Sequence, residues 1–271
     1  MRADRPDPDD LLCEHCGYVL NGLRRRDACP ECGRPIMDSH PDARVGSPWQ
    51  RGVRMGVLHN TVAFIRSPWR MFGQVRVDEP SARRLEAESI AWAGTLLALL
   101  AGSRALLAMR DAGPGIGMIV LVAVIVPVIG FVLFVFLLLG LTATERIGIR
   151  VFGKFHHRRI TRAVAETVVA HAATGWIVSA LLTWAGWLLG SGTAWLGRRE
   201  PWAMWELTLT APYWMPVAGF IIGLLWFETL VYVGVRRMRF ANAPSAAARL
   251  EDALPDGDVV ATDPQAEQVT G

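Results

Sequence analysis

From Ser89 onward the chain carries four stretches in which apolar residues follow one another almost without a charge between them. They cover residues 89–109, 116–141, 168–190 and 211–235. Each reaches the roughly 20 residues that a helix needs to cross the hydrocarbon core of a bilayer. Pro127 falls inside the second run and predicts a kink there. The pattern therefore predicts an all-α membrane bundle of about four transmembrane helices over residues 85–240.

A different pattern precedes the runs. In "WQRGVRMGVLHNTVAFIRSPWRMFGQVR", residues 49–76, apolar residues recur every three or four positions: Met55, Leu58, Val62, Ile65, Trp69 and Phe72. That is one stripe on a helix. Arg51, Arg54, Arg66, Arg70 and Arg76 flank it. Ser67-Pro68 predicts a break, with Ser67 capping a second helix that starts at Pro68. Basic amphipathic helices ahead of a span are expected to lie in the headgroup layer, so residues 49–80 read as interfacial and these arginines as lipid contacts.

Charge turns the four runs into an oriented bundle. Arg76, Arg83 and Arg84 precede the first run. Arg146, Arg150, Lys154, Arg158, Arg159 and Arg162 lie between the second and third, and Arg236, Arg237 and Arg239 follow the fourth. The other side offers only Arg110, Arg198 and Arg199. The excess of basic residues places both termini and the middle loop in the cytoplasm. Trp187, Trp195, Trp202, Trp205, Tyr213 and Trp214 form the expected aromatic belt of the outer face. The first ten residues, "MRADRPDPDD", lack the apolar core of a secretory signal and are expected to be disordered and cytoplasmic. The polar, acidic stretch 241–271 is expected to be a disordered tail.

Composition adds one feature that hydropathy does not show. All four cysteines lie in "LLCEHCGYVLNGLRRRDACPECGRPI", as Cys13-x-x-Cys16-Gly17 and Cys29-x-x-Cys32-Gly33. Paired CxxC motifs in a reducing compartment hold metal more often than disulfides. Two intervening residues let both sulfurs of a pair face one ion, and the glycine after each pair can take a positive φ. Four thiolates make a closed tetrahedral site, structural rather than catalytic, and suited to zinc. With so few apolar residues near it, a module of residues 11–40 is expected to draw most of its folding free energy from the metal. A short β-hairpin is expected between the knuckles, with Arg24, Arg25 and Arg26 at its tip, facing lipid headgroups or a partner. Nucleic acid is a less favoured partner for them.

This segment resembles the zinc-ribbon family. "CEHCGY" and "CPECGRP" are also similar to the knuckles of rubredoxin, which implies iron as the less favoured metal. A cytoplasmic ribbon joined to a small helical bundle resembles a class of bacterial zinc-ribbon membrane proteins. "RSPWRMFGQV", "RRITRAVAETVVAHAATG" and "WFETLVYVGVRRMRFANA" give the membrane part a resemblance to the Yip-type family, which implies a non-enzymatic, membrane-organising adaptor.

Three ionisable residues fall inside or near the runs, and of these His171, near the inner start of the third, is expected to be interfacial. Glu228 is a candidate proton or ion site, as an intramembrane carboxylate is by default, and Arg104 is expected to snorkel to the outer surface. No HExxH, GxSxG or Gly-rich phosphate loop occurs. Two functions follow as expectations. One is a non-enzymatic adaptor or scaffold that docks a partner protein at the cytoplasmic face of the inner membrane. The other is a small transporter or channel using Glu228. Self-association into a homo-oligomer is open.

Overall fold

In lipid no water is present to satisfy backbone amides, so an apolar run must close its hydrogen bonds within itself, as a helix. The computed structural model describes residues 10–109, 113–155, 160–197 and 205–246, and its elements follow that constraint. Two short helices, α1 (Gly56–Arg66) and α2 (Pro68–Gln74), precede five further helices: α3 (Glu79–Met109), α4 (Ile116–Phe155), α5 (Arg162–Ala172), α6 (Gly175–Gly197) and α7 (Trp205–Met238). Four segments are long and apolar enough to cross a membrane: Glu79–Met109, Ile116–Val151, Arg162–Leu196 and Thr210–Met238.

The helices pair as α3 with α4 and α6 with α7, and α3 also packs on α6. Small residues let the backbones approach, the usual device where lipid removes the hydrophobic drive for association. A Cβ added at Gly186 or Gly190 would collide with the α7 backbone at Met215 or Ala211. One added at Gly219 or Gly223 would collide with α6 at Leu182 or Ser179. On the other pair, Gly102 of α3 receives the ring of Pro127, which sits inside α4 without ending it.

The third span is broken. Helix α5 ends at Ala172, and the Thr174 hydroxyl donates to the His171 carbonyl at 2.8 Å before α6 begins. Every residue of α5 from Val164 to Ala172 is buried, so this short helix is the core of one end of the bundle. His171 is held there from two sides. Its Nδ1 lies 2.9 Å from the Thr167 carbonyl, which can only accept, so Nδ1 carries the proton. Nε2 then accepts from the Ser47 hydroxyl at 3.1 Å.

Helices α1 and α2 split at Ser67 as the sequence predicts, with Pro68 at the first helical position. The Ser67 hydroxyl makes no capping hydrogen bond. The stripe Met55, Leu58, Val62, Ile65 and Trp69 faces outward, whereas Val57, Phe64, Met71 and Phe72 are buried. Phe64 meets Phe72 edge to face at 4.8 Å and fixes the two helices together.

The N-terminal module differs from expectation. No strand occurs among the described residues, so the β-hairpin is not formed. Each CxxC loop instead closes on itself with one isolated bridge, Leu12 with Val19 and Ala28 with Pro35. The segment between them turns at Gly22, with φ 79°, and again at Arg24–Asp27, where the Asp27 N–H donates to the Arg24 carbonyl at 3.0 Å. Pro35 has no N–H to extend a ladder. The stretch expected to be a tail begins, in its described part, with packed residues: Ala241, Asn242 and Ala246 are buried. Residues 1–9 and 247–271, Arg110, the His156–Arg159 loop, Arg198, Arg199 and Trp202 lie outside the described residues.

Candidate metal centre

Two equivalent turns build the centre. In the first, Cys13 N–H donates to the Tyr18 carbonyl and Gly17 N–H to the Cys13 carbonyl, both at 2.8 Å. In the second, Cys29 N–H donates to Arg34 and Gly33 N–H to Cys29, again both at 2.8 Å. The outer bonds repeat too, Leu20 to Leu11 at 2.8 Å and Ile36 to Asp27 at 3.0 Å. The module is thus an internal duplication of one knuckle. Gly17 and Gly33 take φ of 83° and 72°, the conformation that their place after each CxxC predicts.

The turns face each other. The Sγ atoms of Cys13, Cys16, Cys29 and Cys32 all lie within 4.8 Å of one another. Cys13 is 3.5 Å from Cys32, and Cys16 is 3.6 Å from Cys29. A tetrahedron of thiolates around zinc, with bonds near 2.3 Å, has sulfur–sulfur edges of about 3.8 Å. The four cysteines therefore lie close enough to hold a metal ion, and the donor set fits a soft divalent one. His15 is exposed outside the cluster. His40 is engaged elsewhere, with its Nδ1 accepting from Asp42 N–H at 3.3 Å and Arg25 3.4 Å from its Nε2.

The thiols are electrostatically unequal. Burial opposes ionisation at Cys13, yet hydrogen bonds from the Cys16 and His15 amides and from the neighbouring thiols bring it down to about 7. Desolvation and three sulfur neighbours push Cys16 up to about 12. Four negative sulfurs cannot share this space unaided. A divalent cation removes the conflict and makes ionisation of all four favourable.

Beneath the cysteines lies a small core of Leu11, Leu20, Ile36 and Ala246, the last from beyond the final helix. The rest of the anchorage is polar. Asn242 accepts from Leu12 N–H at 2.9 Å and donates to the carbonyls of Leu12 and Ser39, both at 2.8 Å. Buried Arg44 makes a two-pronged pair with Glu14, 2.9 Å on each prong, and also donates to the carbonyls of Phe72 and Val75. The Phe240 ring lies against Gly17, leaving no room there for a Cβ. Segments before α1 and after α7 thus both fasten the module to one end of the bundle. Asn242 and Arg44 were not singled out from the sequence, because their role depends on contacts between distant segments.

The other candidate residues lie apart from the cysteines. Arg24 and Arg26 are exposed on the turn between the knuckles, and Arg25 is half-buried. Arg51, Arg54, Arg66 and Arg70 are exposed on the face of the module end. Arg104 sits at the far end, 5.7 Å from the centre of the Tyr213 ring. Glu228 lies on the outer surface of α7 and has a partner that sequence reading missed. That partner is Glu145 on α4, close enough for the two carboxyl groups to act on each other electrostatically.

No family model, curated protein or solved structure matches this chain, so the resemblances to zinc ribbons, rubredoxin and Yip-type proteins rest on the short stretches that suggested them.

Proposed function

We propose that the chain is a multi-pass protein of the cytoplasmic membrane, with both termini in the cytoplasm, whose four cysteines hold structural zinc. We read the metal-bound module as a non-enzymatic docking face for a partner protein. The observation that carries this reading is the anchorage through Asn242 and Arg44, which holds a small folded surface in fixed orientation at one end of an apolar bundle. The orientation is supported by charge, because Arg76, Arg83, Arg84, Arg146, Arg150, Arg236, Arg237 and Arg239 gather at that end. Metal binding supplies the rigidity that so small a core cannot supply. Replacing Cys13 and Cys29 together by Ser should leave membrane insertion intact and remove co-purifying cytoplasmic proteins. An unchanged set of co-purifying proteins contradicts the docking role.

The proximity of Glu228 to Glu145 favours a second reading, in which the two acids carry protons or cations across the membrane. Glu228 lies ten residues before Met238, about 15 Å from the end of α7 at 1.5 Å per residue. On this reading, liposomes with wild-type protein show a proton- or ion-dependent flux that Glu228→Gln abolishes. Equal flux in the two proteins removes it.

A further inference from the structure

At the module end of the bundle, α3, α4 and α5 enclose a cleft of about 360 Å³, lined by Arg83, Arg146 and Arg162 with Glu86 and Glu166. The charges in it do not balance. Glu166 is shared by three arginines: Arg162 Nε at 2.7 Å, and Arg83 and Arg150 at 3.3 Å each. Glu86 accepts from Arg146 at 2.6 and 2.7 Å. Four guanidinium groups thus meet two buried carboxylates. Among the described residues Glu79, 3.2 Å from Arg83, is the one further acid paired with any of them. Donor capacity is also left over, since the Nε atoms of Arg146 and Arg150 are buried without a hydrogen-bond partner. Arg83 and Arg162 are more than half exposed where they line the cleft, so part of their charge is open to a ligand.

The cleft is also amphiphilic. Leu139 lines it seven residues before Arg146 on α4, about 10 Å along the helix toward the apolar region. Around Leu139, the α4 surface that carries Leu133, Phe136 and Leu137 is exposed, so the arginines stand at the head of an open hydrophobic wall.

We propose that this cleft binds the phosphate of an anionic phospholipid, with Arg83, Arg146 and Arg162 as donors and the acyl chains lying along α4 at Leu139. Planar guanidinium groups suit phosphate oxygens, and a basic pocket between helices at a cytoplasmic surface is where such headgroups collect. The wall at Leu139 selects a lipid over free phosphate. The proposal rests on the membrane reading above, which is tested separately: the chain should stay in the membrane pellet after alkaline carbonate extraction.

Detergent-purified full-length protein should be titrated with phosphatidylglycerol, phosphatidylcholine and inorganic phosphate, following thermal unfolding. Phosphatidylglycerol should raise Tm with saturation, while phosphatidylcholine should not. Arg83→Gln and Arg162→Gln, both at exposed and therefore tolerant positions, should each weaken the apparent affinity at least tenfold. Arg34→Gln, exposed on the cysteine module and apart from the cleft, should leave it unchanged. Equal stabilisation by the two lipids, or an undiminished effect in both cleft variants, overturns the proposal. Stabilisation by inorganic phosphate as strong as by the lipid also overturns it, in favour of a soluble anion. Release of the chain by carbonate instead removes the membrane reading, whatever the titration shows.

Discussion

At the residue scale, single polar side chains do the joining that apolar area cannot. Asn242 satisfies three backbone groups of the cysteine module at once, and both of its amide N–H bonds are used in return. In Asn242→Ala the N–H and C=O of Leu12 and the C=O of Ser39 lose their partners in a buried place. Each orphaned group costs about 1–3 kcal/mol where water does not replace the bond. The module should therefore come loose while the bundle stays folded. Hydrogen exchange should read this as faster exchange across residues 11–40 with α3–α7 unchanged. Unaltered protection of the module would show that Arg44 and the small apolar core suffice. Asn242 was invisible to sequence reading because it falls in a stretch whose composition is that of a tail. Glu145 was missed for a related reason. It follows the second apolar run in "TATERIGIR", and only the folded arrangement of distant segments brings it near Glu228.

At the element scale, the length and hydropathy of the runs made the four spans legible, because lipid leaves an apolar backbone no alternative to the helix. Their packing faces were not legible. On α1 the exposed stripe of Leu58, Val62 and Ile65 and the buried Val57 and Phe64 are equally apolar. Periodicity separates apolar from polar and cannot separate a lipid-facing surface from a core. The hairpin expected between the knuckles failed because each CxxC loop spends its hydrogen bonds on itself. The α6–α7 contact shows what does fix the pairing. Gly223 meets Ser179 so closely that even a Cβ has no space. Gly223→Leu should separate the two helices and cause aggregation in detergent, while Gly117→Leu on open α4 surface should be tolerated. Size-exclusion profiles and Tm of the two variants test this. Comparable behaviour would mean that α6 and α7 are held by other contacts.

At the scale of the whole molecule, the two parts that the sequence separates so sharply form one body. The front of the chain is polar, cysteine-rich and short of apolar residues, and the remainder is lipid-like. They meet where Ser47 reaches His171, Arg44 reaches the end of α2, and the residues after α7 return to Leu12. The cysteine quartet was legible from spacing alone, since the chemistry of a tetrahedral thiolate site demands paired ligands with a turn after each. The account stands or falls on the metal. The most direct test is elemental analysis of the detergent-purified protein beside the Cys13→Ser, Cys29→Ser double variant. The account predicts about one zinc per wild-type chain and none in the variant, as one four-thiolate site requires. Iron in that stoichiometry, with the red colour of a four-thiolate iron centre, would move the module to electron transfer. Wild-type protein without metal would contradict the central claim.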